Sequence, residues 1–304
     1  MSSRLSVIIP TFNRKDSLER LINSINGHLD FEYEIIVVDD CSMDGTDALM
    51  AEEFSNVKYI RHQQVELVGK SRNDGIINAS SSLCLFIDDD NVLKDNSIRN
   101  IVEFMEKNTD IGVMGPLTCY LSKPDFVMYA GSRFGRLLIK SKFLFSNVNA
   151  DLLRDKIFEV DKIPNSCVIK REAALSAGLI DYPRYPFFDE DGELIYKIKK
   201  LGYKVLMNGN ARVYHDYLYN SSLSKERIKS FRAYYIMRAK IFFIRDFANA
   251  HCTLGAIIAS VVFIFPYYVY KYAIPARNRK LEIFSALLLG LFDGLLNREA
   301  LRYK

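Results

Sequence analysis

"SLCLFIDDDNVL" spans Ser82 to Leu93, and its two halves demand different surroundings. Leu83, Cys84, Leu85, Phe86 and Ile87 form an unbroken apolar run with the length and composition of a fully buried strand. Asp88, Asp89 and Asp90 follow at once. Like charges this close repel one another, and none is buried unpaired without a large desolvation cost. Either this is a solvated loop tip, or something positive sits among the acids.

Outward from this stretch the pattern repeats. "LSVIIP" (5–10), "YEIIVV" (33–38), "VKYIR" (57–61) and "IGVMGPL" (111–117) read as further strands. Between them Leu18, Leu21, Ile22 and Ile25 fall at i, i+3, i+4 and i+7, one face of a helix. Further helices are expected over 46–54 and 70–79, and over 96–108 with Ile98, Ile101, Val102 and Met105 on one face. Apolar strands alternating with amphipathic helices predict an α/β chain, a parallel sheet covered on both faces. Ligands of such sheets bind beyond the carboxyl ends of the strands. "PTFNR" (10–14), Asp39-Asp40 and Asp88 to Asp90 all stand at those ends, so they converge on one site.

Residues 121–160 lose the alternation and read as a long insertion or lid. Order returns with "SCVIKREAALSAGLID" (166–181), a strand and short helix. Then come an acidic helix start, "FFDEDGELIYKIKKLGY" (187–203), and a last strand, "KVLMNGNARVYHDY" (204–217). The tail differs. "KERIKSFRAYYIMRAKIFFIRDF" (225–247) is basic and aromatic, suited to anionic headgroups. Residues 249–270 carry no charged side chain but are interrupted by Pro266, and "IFSALLLGLFDGLL" (283–296) is short and broken by Asp293, as an interfacial helix would be.

The 304 residues are 49% hydrophobic and 26% charged, the composition of a globular protein. The net charge of +4 is uneven, with acids clustered before residue 194 and basic residues dominating 225–280. That asymmetry predicts an acidic cleft and a basic C-terminal surface. Five scattered cysteines with no CxxC pair argue against a disulfide framework or a zinc site and favour a reducing compartment. The N-terminus has too few apolar residues for a signal peptide, which keeps the expected location cytoplasmic.

Taken singly, the polar clusters are ambiguous. Asp88 and Asp90 offer oxygen ligands to Mg²⁺ or Mn²⁺, or cap a helix. Asp189, Glu190, Asp191 and Glu193 either complement a helix dipole or, beside Phe187 and Phe188, sit in the apolar setting of a general base. His215 is structural or a third ligand, and Arg72 faces a phosphate or pairs with an acid.

Their order along the chain is more specific. "SVIIPTFNR", "EIIVVDDCSMDGT", "GKSRNDGI", "FIDDDN" and "FFDEDGELIYKIKKLGY" together resemble the family 2 inverting glycosyltransferases of the GT-A fold, over residues 4–217 and more loosely in the tail. "DEDGEL" followed by "LGY" resembles the rhamnosyl-, galactosyl- and mannosyltransferase-like members. The resemblance implies that Pro10, Thr11 and Asn13 lie along the nucleotide base. Asp39 hydrogen-bonds that base with Asp40 and Ser42 close by, and Arg72 stands near the nucleotide. Asp88 contacts ribose, Asp90 the metal on the diphosphate (Mn²⁺ or Mg²⁺), and His215 completes the metal site. Asp191 is the catalytic base and Glu190 its partner.

The implied reaction moves a sugar from a nucleotide-diphosphate sugar to an acceptor hydroxyl, on a saccharide or lipid-linked saccharide of a surface glycan or glycan precursor. The alternative is an inactive sugar- or nucleotide-binding module of the same fold. No Gln-x-x-Arg-Trp and no Trp occur, so a processive cellulose- or chitin-synthase is not expected, and "PTFNRKDS" is not the Gly-rich loop of a sugar nucleotidyltransferase. Lys70-Ser71 and Gly192 depart from the family pattern, and Gly192 weakens the helix start. The expected layout is a catalytic domain over 1–222, with a nucleotide-binding half (1–120) and an acceptor-binding half (121–222). Residues 223–304 would be a helical extension at the cytoplasmic side of the cell membrane, peripheral rather than spanning, or else a packed subdomain or homodimer interface. No nucleic acid is expected as a partner. Asp89, on the strand alternation, would point away from Asp88 and Asp90 and be the most replaceable of the three.

Overall fold

The structure, a computed structural model, describes residues 3–135, 141–216, 228–248, 250–276 and 279–299. The expected boundary at residue 222 lies outside the described residues. In chain order the first half runs β1 (Leu5–Thr11), α1 (Lys15–His28), β2 (Tyr33–Asp39), α2 (Thr46–Glu52), β3 (Lys58–Arg61), α3 (Val68–Asn78), β4 (Leu83–Ile87), β5 (Asn91–Val92), α4 (Ile98–Lys107) and β6 (Ile111–Tyr120). The second half continues with β7 (Lys123–Tyr129), β8 (Ser132–Phe134), β9 (Ser141–Phe143), β10 (Ile157–Glu159), β11 (Ser166–Lys170), α5 (Arg171–Ser176), α6 (Glu190–Lys200) and β12 (Lys204–His215).

The main sheet has the order β10-β12-β6-β11-β4-β1-β2-β3. Pairs β1–β2, β2–β3, β1–β4 and β6–β12 are parallel, as the buried apolar runs predict. Strand β11 is antiparallel to both of its neighbours, so the sheet is mixed at its centre. The apolar face of α1 (Leu18, Leu21, Ile22, Ile25) is buried on one side of the sheet, as is that of α4. Leu194, Ile195 and Ile198 of α6 close the other side.

Residues 121–160 are not an irregular insertion. Strand β7 folds back antiparallel on β6, β8 and β9 form a separate ribbon, and β10 adds an antiparallel edge to β12. The sequence hid them because edge strands carry mostly exposed side chains, as β10 and the first half of β7 do, and so lack an apolar signature.

The tail corrects three further expectations. Helix α7 (Ile228–Phe247) is buried continuously from Ala233 to Ile244, so Arg238 and Lys240 do not face headgroups, whereas Arg232 and Arg245 are exposed. Arg238 is fully buried among Tyr234, Tyr235 and Phe242 and donates to the carbonyls of Pro183 and Arg184, each at 3.1 Å. A buried guanidinium persists only with such acceptors and ring faces around it. Phe242 and Phe243 enter the same core as α6, so the tail is continuous with the sheet domain.

Helix α8 (Ala250–Ala259) runs through a π-helical segment (Ser260–Ile264) into α9 (Phe265–Tyr268) and a second π segment (Val269–Ala273). Pro266 therefore does not break the helix, because the flanking π turns absorb the missing hydrogen bond. Thr253–Ala273 is long and apolar enough to cross a membrane by length and composition, and most of it is not covered by protein. Helix α10 (Lys280–Leu295) packs one face on α7. A Cβ on Gly290 would stand 2.3 Å from the Tyr234 carbonyl oxygen, so glycine is what lets the two backbones meet. Asp293 is not a break but a buried acceptor for the Tyr234 hydroxyl at 2.8 Å. The outer face, with Leu281, Phe284, Leu289 and Phe292, is exposed.

Candidate active site

Strand β1 lies between β2 and β4, so the strand order reverses there and the loops after β1 and β4 leave the sheet side by side. Thr11 Oγ1 donates to Asp89 Oδ2 at 2.9 Å, and Arg14 Nη1 donates to Asp89 at 2.8 Å and Asp90 at 2.9 Å. Arg14 is thus a positive group among the three acids, standing one residue beyond Asn13. Asp89 does not point away from Asp90, since both acids meet the same Arg14 nitrogen. The chain leaves the β conformation at Ile87 and turns, with the Asn91 amide donating to the Asp88 carbonyl at 3.1 Å, so strand alternation stops applying. Asp89 is buried, and burial pushes its carboxyl up to about 7 against the pull of Arg14. Asp89→Asn should therefore lower stability by about 1–3 kcal/mol, because Arg14 loses a buried counter-charge. Thermal unfolding of the variant measures this, and an unchanged midpoint would return Asp89 to the expendable role.

On the β2 side, Asp39 is fully buried. Its Oδ1 accepts the Ser42 amide at 2.9 Å and its Oδ2 the Tyr59 hydroxyl at 2.5 Å. Pro10 sits within β1 opposite Val38, and Thr11 opposite Asp39. Asn13, at φ 52°, donates its amide to Ser42 Oγ and accepts the Met43 amide, stitching the first two loops together. Asp40 accepts the amides of Glu66 and Leu67 at 2.7 and 2.9 Å and meets His62 Nδ1 at 2.8 Å. His62 meets Asp74 through Nε2 at 2.9 Å, and its hydrogen bond to Asp40 is the main cause that raises its pKa. Asp40 therefore anchors the 62–67 loop beside Asp39. No sequence signal singled out His62.

Strand β12 pairs with β5 so that His215 stands opposite Asn91, which brings His215 Nε2 to 3.3 Å from Asp90 Oδ1. The buried Nδ1 of His215 has no hydrogen-bond partner among the described residues. A carboxylate oxygen and an imidazole nitrogen this close fit Mn²⁺ or Mg²⁺ as two ligands of an incomplete shell. Among the described residues no three His, Cys, Asp or Glu side chains gather into a metal cage. Asp88 and Asp90 differ in setting, Asp88 being partly open and Asp90 buried.

Helix α6 enters the site at its N-terminus. Asp189 takes φ 60° before it, and Glu190 and Asp191 form its first turn, nearly buried. Arg72, 3% exposed, ties this helix to β4 by donating to Glu190 Oε1 at 2.8 Å and Asp88 Oδ1 at 2.7 Å. Burial pushes the Glu190 carboxyl up to about 8 even with Arg72 opposing it. Asp191 Oδ1 accepts its neighbour Gly192's amide at 2.6 Å and stands 3.3 Å from Lys162 Nζ. Both contacts fall on Oδ1, leaving Oδ2 without a donor among the described residues. Lys162 also pairs with Asp189. It lies in "VDKIP", where no local pattern marks it; only the excess of acids at 189–193 called for a cation.

Asp88, Asp90, Arg72, Glu190, Asp191 and His215 thus form one cluster of charged groups bridged by Arg72, with Asp39 at the end of a neighbouring strand. The fold resembles that of solved glycosyltransferases. Staphylococcus aureus TarS residues 1–349 superpose with a TM-score of 0.59 at 17% identity, covering 97% of this chain and 82% of that one. The Pyrobaculum calidifontis mannosyltransferase PcManGT, solved with GDP-Man and Mn²⁺, gives 0.56 at 14% identity over 98% and 88%. These likenesses establish the GT-A fold.

By sequence, a Campylobacter jejuni GalNAc(5)-diNAcBac-PP-undecaprenol beta-1,3-glucosyltransferase is 34% identical over 104 residues, 33% of this chain and 34% of that protein. The S. aureus poly(ribitol-phosphate) beta-N-acetylglucosaminyltransferase TarS is 31% identical over 112 residues, 34% of this chain and 19% of that one. The chain thus matches only a fifth to a third of the length of these two relatives. A model of the family described as "Glycosyl transferase family 2" matches residues 6–170, more than half of the chain and all of the sheet from β1 through β11. The chain belongs to glycosyl transferase family 2.

Proposed function

We propose that this protein is an inverting glycosyltransferase that moves a sugar from a nucleotide-diphosphate sugar to an acceptor hydroxyl, with Asp191 as general base. The observation that carries the reading is Asp191 itself. One of its oxygens is fixed by Gly192 and Lys162 and the other is open, across the cleft from the acids that close the donor side. Asp39 and the loop it shares with Asn13 and Ser42 would hold the base, and Asp88 the ribose. Asp90 and His215 would hold the divalent cation, which when bound meets the negative charge developing on the diphosphate. The acceptor oxygen forms its bond to the anomeric carbon as the bond to the diphosphate breaks, and Asp191 takes the hydroxyl proton on the opposite face. A single displacement of this kind inverts the anomeric configuration.

The structural relatives support the donor class, since TarS has been solved with UDP-GlcNAc and PcManGT with GDP-Man and Mn²⁺. A panel of nucleotide-sugars with Mn²⁺ or Mg²⁺ tests it. One donor should raise the unfolding temperature and be hydrolysed slowly, and chelation by EDTA should abolish both. No response to any donor would favour the inactive binding module.

For the acceptor we propose a lipid-linked saccharide reached at the cytoplasmic face of a membrane. The Campylobacter relative is named for an undecaprenol-linked substrate. In this chain the exposed face of Leu254, Ile258, Val262, Phe263 and Tyr270 lies next to that of α10. A packed subdomain or homodimer contact would cover the same face. Vesicle flotation separates these: replacing Ile258, Val262 and Phe263 by Ser should release a membrane-bound protein, and a wild-type chain that never floats would remove the lipid reading.

A further inference from the structure

Two observations meet at the start of α6. The first is electrostatic. Asp88, Asp189, Glu190 and Asp191 crowd one end of the cleft, and Arg72 is consumed by Asp88 and Glu190. Asp189 and Asp191 share a different cation, Lys162, whose side chain is 13% exposed. The backbone of Lys162 is itself pinned, because its carbonyl accepts the Ser132 amide at 2.8 Å and its amide donates back to Ser132 at 3.2 Å. The lysine therefore reaches the acids from a fixed root.

The second is steric. Gly192 stands in the first turn of α6, where glycine weakens a helix. The space where its Cβ would stand is taken by Lys162: the nearest atoms would be Cδ at 2.8 Å, Cε at 3.0 Å and Nζ at 3.1 Å. Gly192 has no positive φ, so nothing in the backbone asks for glycine here. What asks for it is the lysine lying across the turn.

We infer that Lys162 is a positioning residue for Asp191, its ammonium holding Oδ1, and that glycine stands at 192 to let the lysine reach it. The inference rests on the reading of Asp191 as the base. The ammonium stands 3.3 Å from Oδ1 and leaves Oδ2 to the acceptor. The other groups facing this pair are Glu190 on α6, Arg72 on α3, Cys167 on β11, Tyr268 on α9 and Lys240 on α7. Lys240, held down to about 8 by burial, is a weaker cation than Lys162.

The test is the pH profile of donor hydrolysis by the full chain, using the nucleotide-sugar that the panel identifies. Activity falls as pH drops through the pKa of the base, so losing the ammonium moves that acidic limb upward. Lys162→Met should shift it up by roughly 1–3 pH units with donor affinity unchanged. Gly192→Ala should shift it the same way by displacing the lysine, although alanine is the better helix former and should not lower the unfolding temperature. Lys162→Arg, which keeps the charge, should hold the limb closer to wild type than Met does. If Lys162→Met fails to fold, Gly192→Ala and Lys162→Arg carry the test alone. An acidic limb unmoved in a folded Lys162→Met, or in Gly192→Ala, overturns the inference. Asp191→Asn separates the two ideas: if it still turns over, the base reading fails, whereas if it is inactive and the limb stays put, only the role of Lys162 fails.

Discussion

Asp191→Asn should bind the nucleotide-sugar as tightly as the wild type and turn it over roughly 10²–10⁴ times more slowly. The amide is nearly isosteric and keeps an oxygen to accept the Gly192 amide, so the first turn of α6 should hold its geometry. What disappears is the lone pair on the second oxygen that takes the acceptor proton. The donor acids, Asp39 and Asp88, stand on other elements and are untouched, which predicts a loss in kcat with no change in donor affinity. Calorimetric titration of the donor beside steady-state turnover separates these two quantities. A variant with wild-type kcat would remove Asp191 from the mechanism, and one that loses donor affinity instead would make it a donor ligand.

The second large effect belongs to Arg72. Its guanidinium is buried and neutralises two acids at once, Asp88 on the β4 side and Glu190 on α6. Removing one member of such a group strands the others, so Arg72→Met should cost about 3–5 kcal/mol. The cost should depend on pH. Burial already lifts the Glu190 carboxyl from 4.5 to about 8 in the folded protein. A raised carboxyl pKa contributes stability that is complete below the unfolded value and is lost as pH rises through the folded one. Without Arg72 that rise goes further, so the variant should lose most stability near pH 8 and least near pH 5. Urea midpoints at the two pH values measure the difference. Equal losses at both would mean that Arg72 acts through packing on the Phe86 ring rather than through charge. Glu190→Gln in the Arg72→Met background should recover part of the loss.

Much of this was legible in the sequence, and the limit is physical. The buried strands β1, β2, β4 and β6 and the amphipathic helices α1 and α4 announce themselves because burial forces apolar residues into a period. The acids at the ends of β2 and β4 and at the start of α6 stand out because clustered like charges need a reason. Their partners do not stand out. Lys162 and His62 meet their acids across separations of 12 to 29 residues, and a single basic residue carries no periodicity. Asp89 was misjudged because the alternation of a strand was extended through a turn. The basic tail was misjudged for a related reason. Composition alone does not distinguish a helix whose cations face headgroups from one whose arginine is buried against aromatic rings and carbonyl oxygens.

That buried arginine bears on how the gene can be cut and spliced. Arg238 holds the 183–184 turn, Tyr185 donates to Asp246 at 2.7 Å, and Phe242 and Phe243 fill the core behind α6. A chain ending before Ile228 would therefore expose a gap beneath α6 rather than shed a detachable anchor. The C-terminal segment is not a modular tag. Exchanging it for a relative's, or trimming it to obtain a more soluble enzyme, should succeed only where the exchange point lies beyond Phe247, after the last side chain that α7 gives to the catalytic core.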